Sequence, residues 1–198
     1  MSQIKDLGTE KTIPDDSDLI PIQQTDGATR RITKANLLSG IAGAGSNLPF
    51  IQLTHTLASG VNGGNANFGS WTDRPINLID TDETGSVTLS SNTFVLPSGI
   101  YCMEAKSTFF SFADAKLRLF NKTSNTSLIQ GLNAWVNRDG VVALPIFLSG
   151  KFTVAAGQQI SLQYWAKTIS VSSIYNYGGS VSDGSPEKYA SIDLWKVG

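Results

Sequence analysis

From Leu48 to Gly198, apolar residues recur at every second position in short runs, and Gly, Asn, Asp and Pro interrupt those runs before a helical period can form. A two-residue period puts alternate side chains on opposite faces of a strand, so such a chain folds as packed sheets or not at all. Leu148–Ala166 states the pattern most fully. Phe152 and Val154 alternate with Lys151 and Thr153, Ala155-Ala156-Gly157 turns the chain, and Ile160, Leu162 and Tyr164 alternate with Ser161, Gln163 and Trp165. This reads as one hairpin. Phe94-Val95-Leu96-Pro97-Ser98-Gly99-Ile100-Tyr101 is a second piece of the same kind, and Tyr189–Val197 a third.

The remaining strands are expected at Phe50–Leu57, Trp71–Ile79 (an edge, because of Pro75), Ser86–Leu89, Thr93–Leu96, Ile100–Phe110, Lys116–Phe120, Ser127–Val136, Val141–Leu148, Lys151–Val154, Gln158–Lys167 and Lys188–Val197. Strands this dense, with turns between them, indicate an all-β sandwich or jelly roll. Low charge fits: 16% of residues are Asp, Glu, Lys or Arg, too few for solvated amphipathic helices.

Residues 1–47 are different in kind. An acidic cluster, Asp15-Asp16-Ser17-Asp18, precedes a strand at Leu19-Ile20-Pro21-Ile22-Gln23; Asp26-Gly27 marks a turn; Thr29-Arg30-Arg31-Ile32 returns. Thr33 can cap a short helix over Lys34–Leu38, closed by Ser39-Gly40, and 41–47 has linker composition. A hairpin plus one helical turn buries too little to stand alone, so it needs something to dock on. The order of these features over residues 13–40 resembles the N-terminal attachment segment of bacteriophage tail-fibre and tailspike proteins. That resemblance implies that Leu19, Ile20, Ile22, Ile32, Leu37 and Leu38 fix the chain to another virion protein; the alternative is a plain flexible tail.

Over residues 75–197, four stretches together resemble the C1q/tumour-necrosis-factor-like jelly roll. They are F-V-L-P-S-G-I-Y, Leu117-Arg118-Leu119-Phe120-Asn121, the hairpin with Gly150, Phe152, Val154, Gly157 and Gln158, and the terminal strand. The resemblance implies a ten-stranded sandwich that assembles as a homotrimer. A collagen-like Gly-X-Y stem is missing, which argues against a complement-type role. The expected organisation is therefore an attachment segment and linker over 1–47 and a head domain over 48–198.

The strand faces also suggest assembly. Ala190, Ile192 and Leu194 form one face of the last strand, with Tyr189, Ser191, Asp193 and Trp195 opposite; Gln163, Trp165 and Lys167 lie opposite Ile160, Leu162 and Tyr164. Aromatics among polar groups on an outer face are typical of interfaces. Tyr189, Trp195, Trp165 and Gln163 are accordingly expected at the trimer interface, although loops of the same subunit could cover the tryptophans.

Ser170–Pro186 is too long and polar for a hairpin turn, and its Tyr, Ser, Gly and Asn are residues that binding loops favour. Tyr175, Asn176, Tyr177 and Asp183 are the expected recognition residues; a mobile loop without a ligand is the competing reading.

Other chemistry is sparse. Asp80, Asp82 and Thr84 begin a calcium-loop spacing, but Ser91 stands where an EF-hand needs Glu, leaving a solvated acidic turn or a non-EF-hand site. His55 is the only histidine, so a multi-histidine metal site would require three copies on a three-fold axis. No catalytic motif surrounds it, and no cofactor, metal or enzymatic activity is expected. Cys102, the one cysteine, reads as a small buried hydrophobe. Asn121 and Asn125 fit the glycosylation pattern but are read as loop polarity. With 15 basic against 16 acidic residues there is no footprint for nucleic acid. No apolar run approaches a membrane span and no signal peptide is visible, so membrane insertion is not expected.

These readings converge on a phage virion protein. The leading expectation is a trimeric tail fibre or receptor-binding protein whose loops contact a host surface glycan or protein. A capsid decoration or head-fibre protein that stabilises the shell is the alternative.

Overall fold

The structure, a computed structural model, describes residues 19–23, 29–33, 48–110, 112–135, 143–168 and 175–198. The chain divides into two units, Met1–Asn47 and Leu48–Gly198. In the first, strands β1 (Leu19–Gln23) and β2 (Thr29–Thr33) pair antiparallel with Ile20 opposite Ile32. Leu19, Ile20 and Ile22 stand on β1 and Ile32 on β2; the expected helix with Leu37 and Leu38, and the linker, lie outside the described residues.

The second unit contains β3 (Phe50–Leu57), β4 (Thr72–Asp73), β5 (Leu78–Asp82), β6 (Thr88–Ser90), β7 (Thr93–Val95), β8 (Gly99–Phe110), β9 (Phe112–Asn121), β10 (Thr126–Gln130), β11 (Ala134–Trp135), β12 (Ala143–Val154), β13 (Gln159–Thr168) and β14 (Glu187–Lys196). One sheet runs β12-β8-β14-β3-β5. The other runs β10-β9-β13-β7-β6, with β11 added beside β9 and β4 beside β13. The pairs β3·β14, β7·β13, β8·β12 and β9·β10 are nested, first strand with last and inward from there. An antiparallel ribbon paired this way and rolled into two sheets is a jelly roll. The described residues of this unit are thus an all-β two-sheet sandwich, as the alternation indicated.

The core lies between the sheets. Tyr101, Met103, Ala105 and Phe109 of β8, Ile192 and Leu194 of β14, and Ile51 and Leu53 of β3 meet Leu117 and Leu119 of β9 and Ile160, Leu162 and Tyr164 of β13, all nearly inaccessible. Each was on the apolar side of its two-residue period.

Pairing is where the sequence reading needs correction. β12 and β13 are not a hairpin: β12 pairs along its whole length with β8, while β13 pairs with β9, β7 and β4, and the turn at Ala155-Ala156-Gly157 crosses between the sheets. Alternation records which face of a strand is apolar and carries no information about which neighbour takes its hydrogen bonds. The expected break at Ser149-Gly150 is absent. Gly150 continues the strand because Ile129 of the opposite sheet lies against it; a Cβ there would come within 3.0 Å of Ile129 Cδ1. Conversely, the single strand expected over 127–136 is divided into β10 and β11, with the Gly131 amide donating to Leu117 O at 2.9 Å at the break. The Trp71–Ile79 piece is likewise two short strands, β4 and β5, in different sheets.

Candidate functional site

The outer face of the seven-stranded sheet is built by the residues that alternate with the core. On β9 these are Asp114, Lys116, Arg118 and Phe120; on β13 they include Gln163, Trp165 and Lys167. Register places Trp165 opposite Lys116, Gln163 between Arg118 and Asp73, and Trp135 of β11 opposite Asp114. Trp71 precedes β4 at the same side of β13. The result is a groove of about 570 Å³ bordered by Trp71, Trp135 and Trp165, with Asp114, Gln130 and Asn133 supplying polar groups. Three of the four tryptophans of the chain thus line one depression, and Trp135 is 68% exposed.

The Trp71 wall is held by a fixed network. The Arg118 guanidinium lies 4.1 Å from the ring centroids of both Trp71 and Phe120. Its Nε and Nη2 donate to Gln163 Oε1 at 2.8 and 2.6 Å, Gln163 Nε2 donates to Asp73 Oδ1 at 2.8 Å, and Lys122 Nζ bridges Asp73 Oδ2 at 2.8 Å. Burial alone would raise the Asp73 carboxyl, but hydrogen bonds from Lys122 and Gln163 outweigh it and hold the group below its usual range. Planar, charge-assisted contacts of this kind fix side-chain geometry. Gln163, expected at a trimer interface, is instead enclosed within this network, and Trp165 borders the groove.

A second polar cluster is internal. Arg74 is wholly buried, and among the described residues no carboxylate partners it: Nε donates to Ser107 Oγ at 2.6 Å, Nη1 to His55 Nδ1 at 3.1 Å and Nη2 to Tyr189 O at 2.9 Å. Its guanidinium sits 3.9 Å from the Tyr177 ring centroid, whose π face stands in for a counter-ion. Burial lowers Arg74 to about 10, with Tyr177 and Tyr164 opposing, so it remains a cation at neutral pH. Arginine only donates, so Nδ1 of His55 must accept and its proton sits on Nε2. Burial first and the Arg74 charge second lower His55 to about 4, keeping it neutral. Tyr177 is pushed far up by burial and by its 2.9 Å bond with Tyr164.

This cluster revises several expectations. Asn176 and Tyr177 are not presented outward: Asn176 Oδ1 accepts from Ala66 N at 3.2 Å and Tyr177 closes over Arg74, each only 5% exposed. Tyr189 is not on the outer face either. A β-bulge between Lys188 and Ala190 breaks the alternation, so Tyr189 and Ala190 are both buried, and the Tyr189 hydroxyl donates to Val61 O at 2.8 Å. His55 is enclosed against Arg74 and faces the interior, which removes it from any three-fold surface site.

The other expected residues are simpler. Tyr175 and Asp183 are exposed; Asp183 Oδ1 accepts from Ser185 N and Oγ and closes its own turn. Glu187 ties two loops together, its carboxylate accepting from Gly60 N, Val181 N and Ser182 N. Residues 170–174 of the expected binding loop lie outside the described residues. Trp195 is half-buried, 5.4 Å from Phe50 by ring centroids. Cys102 is half-buried on the outward side of β8 rather than in the core, because Tyr101 and Met103 take the inward positions. Asp82 is saturated by its own turn, Oδ1 accepting from Thr84 N, Thr84 Oγ1 and Gly85 N and Oδ2 from Val87 N. These bonds outweigh burial and hold it below the usual range. Asp80 pairs with Lys188 at 2.7 Å. Asn121, half of the glycosylation pattern, is buried with Oδ1 accepting from Ser124 N. Among the described residues, no group of three His, Cys, Asp or Glu could hold a metal ion.

No sequence-family profile matches the chain, and no curated protein matches it. Among solved structures, the globular domain of zebrafish complement 1qA protein is similar, covering 76% of this chain and 98% of that one at 14% identity, with a TM-score of 0.48. The fold is read from the nested strand pairing itself.

Neither the groove nor the Arg74 cluster was foreseen. Alternation marks Trp165 as outward, but nothing in the sequence brings Trp71 and Trp135 to it. Arg74 beside Pro75 looks like an ordinary loop cation.

Proposed function

We propose that this chain is a bacteriophage virion protein, a tail fibre or receptor-binding protein that trimerises through its jelly-roll head and attaches to a neighbouring virion protein through residues 1–47. The observation that carries the binding role is the groove bordered by Trp71, Trp135 and Trp165 on an exposed sheet face, its wall fixed by the Arg118 network. Concave sites with aromatic walls and a few convergent polar groups are where proteins take ligands. The other conspicuous polar cluster, around Arg74, is sealed inside and holds loops together. Three grooves per trimer, and several trimers per particle, would turn weak single contacts into firm attachment.

Trp195 and Phe50, tilted against each other, and the exposed Phe147 of β12 supply aromatic surface for a subunit interface on the outer side of the five-stranded sheet. Immunoelectron microscopy of intact particles with an antibody against residues 48–198 tests the assignment. Label at the tail end supports host attachment. Label spread over the shell replaces it with capsid decoration, and no label on any particle removes the virion role.

A further inference from the structure

Resting on the reading of this chain as a surface-binding subunit, we propose that the groove takes a carbohydrate, with a pyranose ring stacked on the tryptophan wall. A pyranose has a weakly polar C–H face and a rim of hydroxyl groups. It therefore needs a flat aromatic surface beneath and short planar donors and acceptors at the edge. Trp135 and Trp165 provide the first, and Asp114, Asn133 and Gln130 the second. Trp71 is held by Arg118 at 4.1 Å, so that side of the groove is formed before any ligand arrives and costs little ordering entropy on binding.

Other ligand chemistries fit less well. A single-stranded nucleic acid also stacks on aromatics, but its backbone requires a positive channel, and this groove sets Asp114 beside Lys116. An added β-strand of peptide requires a free strand edge, whereas the groove lies on a face where β9 and β13 are already paired with each other. A wholly apolar ligand would leave Asp114, Asn133 and Gln130 without exchange for lost water.

The test uses the full chain on an array of purified bacterial O-chain and capsular polysaccharides, with soluble chitohexaose and cellohexaose titrated against tryptophan emission. Expected are binding to at least one of these sugars with a change in emission, and a loss of about tenfold or more in affinity for both Trp135→Ala and Trp165→Ala. Val181→Ala, in an exposed loop that does not line the groove, should bind normally. Trp135 is mostly exposed, so Trp135→Ala should melt within about 2 °C of the parent, which separates lost binding from lost folding. Absence of binding to every sugar, or variants that bind as tightly as the parent, overturns the proposal. Isolated bacterial envelopes separate it from the wider reading. Envelope binding that survives periodate cleavage of sugar diols but not protease treatment sinks the carbohydrate and keeps the attachment role. Array binding without any envelope binding does the reverse.

Discussion

His55 gives the sharpest thermodynamic prediction. Burial and the Arg74 cation hold its imidazole at about 4, against about 6.5 in the unfolded chain. The unfolded state therefore binds a proton that the folded state refuses, and stability must fall as pH drops from about 6.5 toward about 4. Worked through linkage, the loss is about 2 kcal/mol between pH 8 and pH 5 and about 3 kcal/mol by pH 4. Asp73, Asp82, Asp183 and Glu187 are also held low, which stabilises the fold above their unfolded values and is lost only at more acid pH. Between pH 6.5 and 5 the histidine contributes most of the change among the described groups. Urea unfolding at fixed protein concentration across that interval measures the slope. The chain has one histidine, so one imidazole resonance reports its titration directly. His55→Gln should flatten the slope. A folded-state imidazole titrating near 6.5, or stability unchanged from pH 7 to 5, would refute the reasoning, because the neutral Nδ1 acceptor would then not be required.

Arg74→Ala removes three donors and leaves His55 and Ser107 short of partners, at a cost of about 3–5 kcal/mol; calorimetry should show the melting point fall by roughly 10 °C. In Arg74→Met the imidazole titration should move upward, since the neighbouring charge is gone. Gly63→Ala would put a Cβ within 2.9 Å of the Tyr189 ring and should cost about 1–3 kcal/mol, whereas Gly179→Ala, with nothing nearer than 3.8 Å, should fall within about 0.5 kcal/mol of the parent in the same melts. Asp82→Ala strips four hydrogen bonds from an accessible turn, and urea titration should find about 1 kcal/mol lost.

Much of the fold was legible because apolar burial, the main force that assembles it, leaves a period in the sequence. The rows Ile160, Leu162, Tyr164 and Ala190, Ile192, Leu194 could be assigned to the core from spacing alone, and all are buried. What alternation could not supply was the partner of each strand, so a turn between sheets looked like a hairpin. It also failed at Tyr189, where one bulged residue reverses the faces that follow from simple counting. The candidate site was mostly illegible. Its tryptophans come from three separated segments, and only the register of β11, β9, β13 and β4 brings them to one place. Asn176 and Tyr177 misled for a related reason: a polar, tyrosine-bearing loop looks adaptive until a buried cation elsewhere in the chain needs its ring.

The nesting of β3 with β14 also dictates when this domain can exist. β14 lies between β8 and β3, so the five-stranded sheet has no middle until residues 187–196 have been synthesised. Until then β8 and β3 each present an unpaired edge, and the core they face stays open to water. Contacts that span nearly the whole domain close late and slowly. A ribosome stalled before Glu187 would release not a slightly shortened head but a sticky half-sandwich, and the nascent chain depends on swift completion, or on a chaperone covering those edges, to reach its assembled form.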